Sequence, residues 1–145
     1  MRRMAVALIA FVLVATGCSW FVVSIDGDWT GIGETQMMMG ETLVTFTSLS
    51  ATFDSGAYDF RYTIRVDGDG EPESFLNSHS GTVSPSNPSV DQTMTFTVSS
   101  SSGDKAPPVG TSFAGKLLYL DRKVMVLEIV AGEDGPVLNW AFERQ

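Results

Sequence analysis

Apolar and polar residues alternate in short runs along most of the chain after residue 27. The clearest run places Tyr58, Phe60, Tyr62, Ile64 and Val66 on one face and charged or hydroxyl-bearing side chains on the other. A period of two is that of a β-strand, so this run predicts a strand with one buried and one solvated face. Helical spacing is nearly absent from this part of the chain. The pattern therefore predicts an all-β domain.

Turn-forming residues divide this pattern into sequential strands with mostly short links. The predicted strands are 28–38, 42–53, 58–66, 74–84, 90–99, 113–120, 123–131 and 137–143, with a polar loop over 99–108. Eight such strands favour an antiparallel up-and-down barrel, because closure removes exposed sheet edges. An immunoglobulin-like β-sandwich is the alternative, and it is less favoured because sandwiches usually need a long connection between sheets.

The chain begins with a different pattern. Arg2 and Arg3 precede an apolar run over 5–14, which is typical of a secretory signal peptide and too short for a membrane span of about 20 residues. The run ends at Gly17-Cys18, which resembles the lipobox of bacterial lipoproteins. An ordinary signal peptide that happens to contain a cysteine is the alternative.

The lipobox resemblance implies an address and an anchor. It implies that residues 1–17 are a signal peptide and that Cys18 becomes the first residue and carries fatty acyl chains such as palmitate. Residues 18–26 would then form the lipidated N-terminus and tether, and 27–145 the barrel domain. Several acyl chains suffice for stable membrane anchoring. In a Gram-negative host, Ser19 implies the outer membrane, with the protein facing the periplasm.

Composition limits the remaining possibilities. The 145-residue chain has a net charge of -8, and such an acidic surface argues against nucleic-acid binding, which depends on clustered Lys and Arg. A single cysteine leaves no internal disulfide, so stability must come from hydrophobic packing.

No group of residues predicts catalysis, a metal site or a cofactor. The acidic turn 67–71 lacks EF-hand spacing, because Ser78 stands where the loop needs a bidentate Glu, so a solvated hairpin turn is favoured over calcium binding. Met37–Met39 alternate between strand faces, which favours packing over copper ligation. His79 is the only histidine and no nucleophile elbow accompanies it, so we expect a surface or barrel-lining role and no enzyme activity.

Two short motifs resemble the lipocalin and wider calycin pattern. They are Gly27-Asp28-Trp29 at the start of the first predicted strand and the aromatic, arginine-bearing tail 138–144. The resemblance implies that Trp29 packs across the closed end of the barrel, with Arg144 over its ring.

The inward face of the predicted barrel is rich in aromatic and aliphatic side chains. The residues expected there are Phe60, Tyr62, Phe96, Leu117, Tyr119, Leu127 and Trp140. An eight-stranded barrel either fills its interior with such side chains or holds one small ligand. The leading hypothesis is a membrane-anchored domain that binds a small apolar or amphipathic molecule such as a lipid. The alternative is an envelope structural or interaction module with a filled barrel, and the sequence does not identify its protein partner.

Overall fold

The computed structural model describes residues 23–130 and 135–145, which form nine strands in one sheet. The strands are β1 (Gly27–Gly31), β2 (Thr35–Met39), β3 (Thr42–Asp54), β4 (Ala57–Asp67), β5 (Glu73–Ser84), β6 (Thr93–Ser102), β7 (Ser112–Leu120), β8 (Val124–Val130) and β9 (Val137–Arg144). The predicted signal peptide and Cys18 lie outside the described residues. Within those residues, no helix has the length and apolar character that crossing a membrane requires.

The sheet closes on itself through β1. Each strand from β3 to β9 pairs antiparallel with the next, and β1 pairs with both β9 and β3, so that Trp29 lies opposite Arg144 on one side and Ala51 on the other. The result is a closed eight-stranded antiparallel barrel, to which β2 adds one extra strand beside β3. The predicted up-and-down barrel is confirmed, and the sandwich alternative is excluded.

The predicted strand 28–38 is interrupted and forms both β1 and β2. Gly31 lies so close to Leu49 that a Cβ at this position would clash, and Gly33 has a φ of 72°, which favours glycine. The chain nevertheless stays beside β9, because the Ile32 amide donates to the Ala141 carbonyl at 2.8 Å. The two glycines therefore bend the strand, and its pairing with β9 ends there.

One hydrophobic core fills most of the barrel. In β4 the predicted alternation is observed, with Tyr58, Phe60, Tyr62 and Ile64 buried, and Val66 packs against the same core while partly exposed. The most deeply buried side chains elsewhere come from the other strands: Trp29, Phe53, Met94, Phe96, Leu117, Met125, Leu127 and Phe142. Burial of this apolar surface, at about 25 cal/mol per Å², is the main source of stability.

Candidate functional site

One end of the barrel is sealed around Trp29. The Arg144 guanidinium carbon lies 4.2 Å from the centroid of the Trp29 ring, a cation–π contact between neighbouring strands. The indole Nε1 of Trp29 donates to the Ile25 carbonyl at 2.7 Å. Arg144 also donates to the carbonyls of Asp26 at 2.7 Å and Ser24 at 2.8 Å. The polar groups at this end are therefore satisfied by the chain itself.

The packed domain begins earlier in the chain than the tether prediction places it. Ile25, which the sequence assigns to a tether, is completely buried in the core. Ser24 and Asp26 on either side of it are held by Arg144 through their carbonyls. Residues 24–26 are thus a structural part of the closed end.

The other end of the barrel contains a pocket of about 240 Å³. Its wall includes the end of β8 and the beginning of β9, where Val130 pairs with Val137, whereas Trp29 lies beside the last residue of β9. The lining is mainly aromatic and aliphatic: Phe46, Tyr62, Ile64, His79, Lys105, Pro107, Thr111, Phe113, Ile129, Val130, Leu138 and Trp140. The barrel is thus solid at one end and hollow at the other.

The titratable groups of the pocket wall are uncharged near neutral pH, apart from Lys105 at its rim. Burial lowers the pKa of His79 to about 4, an effect that the negative charge of Asp59 only partly offsets. The ring Nδ1 of His79 shares a hydrogen bond of 3.1 Å with the Tyr58 hydroxyl, and burial together with repulsion from Tyr62 raises the pKa of Tyr58. Burial also raises the pKa of Tyr62 to about 12. A ligand in the interior therefore meets neutral donors and aromatic rings.

Trp140 carries an unused hydrogen-bond donor. Its indole Nε1 is buried and has no partner among residues 23–130 and 135–145. The ring packs against Phe46, Phe60 and Tyr62, with centroid separations of 5.9, 5.6 and 5.7 Å. A buried polar group without a partner costs free energy, and most such groups in folded proteins are satisfied. Among the described residues of the wall, this N–H is the buried polar group that lacks a hydrogen-bond partner.

The rim of the pocket comes from the loop between β6 and β7. The buried Asn77 side chain fixes this loop, because its Oδ1 accepts from the Lys105 amide at 3.0 Å and its Nδ2 donates to the Phe75 carbonyl at 2.9 Å. Gly103 has a φ of 106° and packs so tightly on Asn77 that a side chain would collide there. The Lys105 ammonium lies 5.0 Å from the centroid of the Phe75 ring. The loop predicted over 99–108 is thus shorter, since β6 extends to Ser102, and it is anchored beside the pocket.

The seven residues predicted to line the interior lie in three different places: the pocket wall, the packed core and, for Tyr119, the outer surface. Tyr62 and Trp140 line the pocket. Four others, namely Phe60, Phe96, Leu117 and Leu127, are buried in the packed core outside the pocket lining.

The prediction for Tyr119 is wrong. Leu117 pairs with Leu127 and Tyr119 with Val126, so Leu118 is an extra residue that shifts the alternation of β7. Tyr119 is consequently 50% exposed and its hydroxyl donates to Asp121 at 2.9 Å.

Sequence alternation missed several residues of the pocket wall for two different reasons. Ile64 and Leu138 share a strand face with Tyr62 and Trp140, so the same period already contained the signal for them. Lys105 and Pro107 come from a loop, where no period exists, and only the tertiary structure brings them to the pocket.

The described residues offer no metal centre. Within 23–130 and 135–145, no three His, Cys, Asp or Glu side chains are grouped so that they could hold an ion. Met37 packs against the core, whereas Met38 and Met39 are exposed. Asp67 is the last residue of β4, and the residues 68–72 that follow it form an exposed connection to β5.

The fold and the site together define an antiparallel β-barrel domain with one sealed end and a small, mainly apolar pocket at the other. No protein-family model matches the sequence, and no curated protein matches it significantly.

Proposed function

We propose that this protein is a lipid-anchored, lipocalin-like protein of the bacterial envelope that binds a small apolar or amphipathic ligand in its barrel. The observation that carries the proposal is the pocket of about 240 Å³ between aromatic side chains at one end of a barrel that is otherwise filled. Ligand pockets in proteins are typically apolar concavities with a few placed polar groups, and this pocket has that composition.

The pocket volume limits the size of the ligand. An apolar cavity of about 150 Å³ accommodates benzene, so 240 Å³ corresponds to roughly ten non-hydrogen atoms. A single aromatic ring with a short substituent has this size. A phospholipid with two long acyl chains is several times larger, so such a lipid could insert only part of itself.

A second candidate function is an envelope structural or interaction module. The observation in its favour is the closely packed interior outside the pocket, where Phe60, Phe96, Leu117 and Leu127 leave no room for a ligand. In that case the pocket would be a packing defect near the rim and the outer surface would carry the function.

Native mass spectrometry distinguishes the two functions. The protein is produced from its full chain, isolated in lipid nanodiscs and released in the gas phase. We expect a co-purifying mass of a few hundred daltons or less, or saturable uptake of an added alkylbenzene. Absence of both with a correctly folded barrel would favour the interaction module.

The anchor has its own test. We expect radiolabelled palmitate to be incorporated into the full chain during growth, and the Cys18→Ser variant to incorporate none and to leave the membrane fraction. Equal labelling or equal membrane association of the two chains would contradict lipidation at Cys18.

A further inference from the structure

We propose that the ligand is a small organic anion with an apolar body, in which an oxygen atom accepts a hydrogen bond from the Trp140 indole N–H and the negative charge lies near Lys105. This inference rests on the proposed function, because it specifies the chemistry of the ligand in the same pocket. Three independent features support it: an unpartnered donor, a single cation in the lining and the position of the pocket relative to the anchor.

The unpartnered donor is the first feature. The Nε1 of Trp140 is buried and has no acceptor among the described residues, although the ring belongs to the pocket wall. A hydrocarbon in the pocket would leave this N–H unpaired, whereas a ligand with an acceptor oxygen would satisfy it. Sites with unpaired buried polar groups discriminate strongly for the ligand that pairs them.

The charge distribution is the second feature. Among the described residues, Lys105 is the only charged member of the pocket lining, and no described carboxylate lies within ion-pair distance of its ammonium. The other described residues of the wall are neutral, and none of them is acidic. In a protein with a net charge of -8, a described lining with one cation and no carboxylate favours an anionic ligand over a cationic one.

The position of the pocket is the third feature. Ser24–Asp26 are bound to the closed end, at the opposite end of the barrel from the pocket. Only the residues between Cys18 and Ser24 separate the proposed anchor from this end, a reach of roughly 20 Å even when extended. The closed end would then lie nearer the membrane and the pocket would face the aqueous compartment. Organic anions of this size are water-soluble and reach the pocket from that side.

The test uses three probes of nearly equal shape. These are 3-phenylpropionate, which carries both an acceptor and a charge, 3-phenylpropanamide, which keeps only the acceptor, and butylbenzene, which has neither. Binding to the protein from its full chain in lipid nanodiscs is measured by isothermal titration calorimetry, with empty nanodiscs as the control for partitioning into lipid.

We expect the amide to bind roughly tenfold more tightly than the hydrocarbon, because it satisfies the buried N–H. The carboxylate should bind roughly threefold more tightly than the amide, since Lys105 is solvent-exposed and its attraction is screened. Trp140→Phe should abolish the preference for the amide over the hydrocarbon. Lys105→Gln should abolish the preference for the carboxylate over the amide and leave the amide unchanged.

The outcomes separate the two levels of the proposal. Equal affinity of the wild-type protein for all three probes would overturn the anion inference and leave the pocket a ligand site. No binding of any probe would overturn the proposed ligand binding as well. Because the three probes are compared on the wild-type protein, the test does not depend on whether Trp140→Phe folds.

Discussion

Two buried tryptophans mark the two ends of this barrel, and their surroundings differ. Trp29 is 1% exposed, its N–H donates to the Ile25 carbonyl and its ring is covered by Arg144. Trp140 is 4% exposed, its ring packs among aromatic side chains and its N–H is unpaired within the described residues. The two side chains are therefore similarly buried, and they differ in whether their N–H group has a hydrogen-bond partner.

The difference has a cause in the chain. At the closed end, the segment 24–26 runs across the barrel and offers three backbone carbonyls to Trp29 and Arg144. At the open end, the loop that reaches the pocket is held by Asn77 at its rim and supplies no acceptor to Trp140. The hydrogen-bonding groups of Trp29 and Arg144 at the closed end are thus satisfied by the chain, whereas the Trp140 donor at the open end has no partner among the described residues.

The largest loss of stability is expected for a substitution at the closed end. Trp29→Ala should lower the free energy of unfolding by about 3–5 kcal/mol, because it leaves a cavity and removes both the N–H bond to Ile25 and the contact with Arg144. Urea denaturation monitored by circular dichroism measures this change. A loss below about 1 kcal/mol would show that Trp29 and its contacts at the closed end contribute little to stability.

The second largest loss of stability is expected when the pH is lowered. Because folding lowers the pKa of His79 from 6.5 to about 4, the unfolded chain binds the proton more readily, and stability is full above pH 6.5 and falls as the pH decreases towards 4. The expected loss between pH 7 and pH 5 is about 2 kcal/mol. The low pKa of Asp121 acts mainly below this window, since that carboxyl titrates near 3.8 when unfolded.

His79→Gln is the matched variant for this measurement. It removes the titrating group, so its unfolding free energy should be nearly constant between pH 7 and pH 5. A slope equal to that of the wild-type protein would assign the pH dependence to other groups.

The comparison between the two tryptophans is tested most sharply by a pair of identical substitutions. Both substitutions remove the same ring volume from a buried position. Trp29→Phe also leaves the Ile25 carbonyl without its donor, so it should cost about 1–2 kcal/mol more than Trp140→Phe, which removes a donor without a partner among the described residues. Equal costs for the two variants in the same urea titration would remove the distinction.

The smallest expected effect concerns the outer face of β7. Tyr119→Phe should leave the free energy of unfolding in urea almost unchanged, because the hydroxyl bonds only to Asp121 at an exposed position. A large loss would place Tyr119 inside the barrel, as the alternation of β7 alone would suggest.

Alternation of side chains predicted the barrel and the buried face of β4, because a strand with one wet face repeats every two residues. It failed at Tyr119, since one bulged residue reverses every parity after it. Alternation also predicted one strand over 28–38, where the structure has β1, which ends at Gly31, and β2, separated from it by the segment with Gly33. The resemblance to lipocalins implied that Arg144 lies over the Trp29 ring, and the structure has the two side chains in contact at 4.2 Å.

The candidate site was less accessible to sequence reasoning. Tyr62 and Trp140 were predicted to face inward, but a period gives only the face of a strand and not whether the space beyond it is filled. The pocket exists because side chains from several strands and the loop with Lys105 leave a gap, which depends on the packing of the whole barrel end. Whether the Trp140 N–H has a hydrogen-bond partner likewise depends on which acceptors the fold brings near it.

The most direct test of the central claim follows the indole N–H signals in a ¹H–¹⁵N correlation spectrum while 3-phenylpropionate is added. The chain has three tryptophans, so the variants Trp140→Phe and Trp29→Phe are used to assign the signals of these two. If the Trp140 N–H binds the probe, its signal moves downfield and saturates, while the signal of Trp29, whose N–H is already bonded to the Ile25 carbonyl, stays in place. An unchanged Trp140 signal at saturating probe, or equal shifts of both signals, would contradict it.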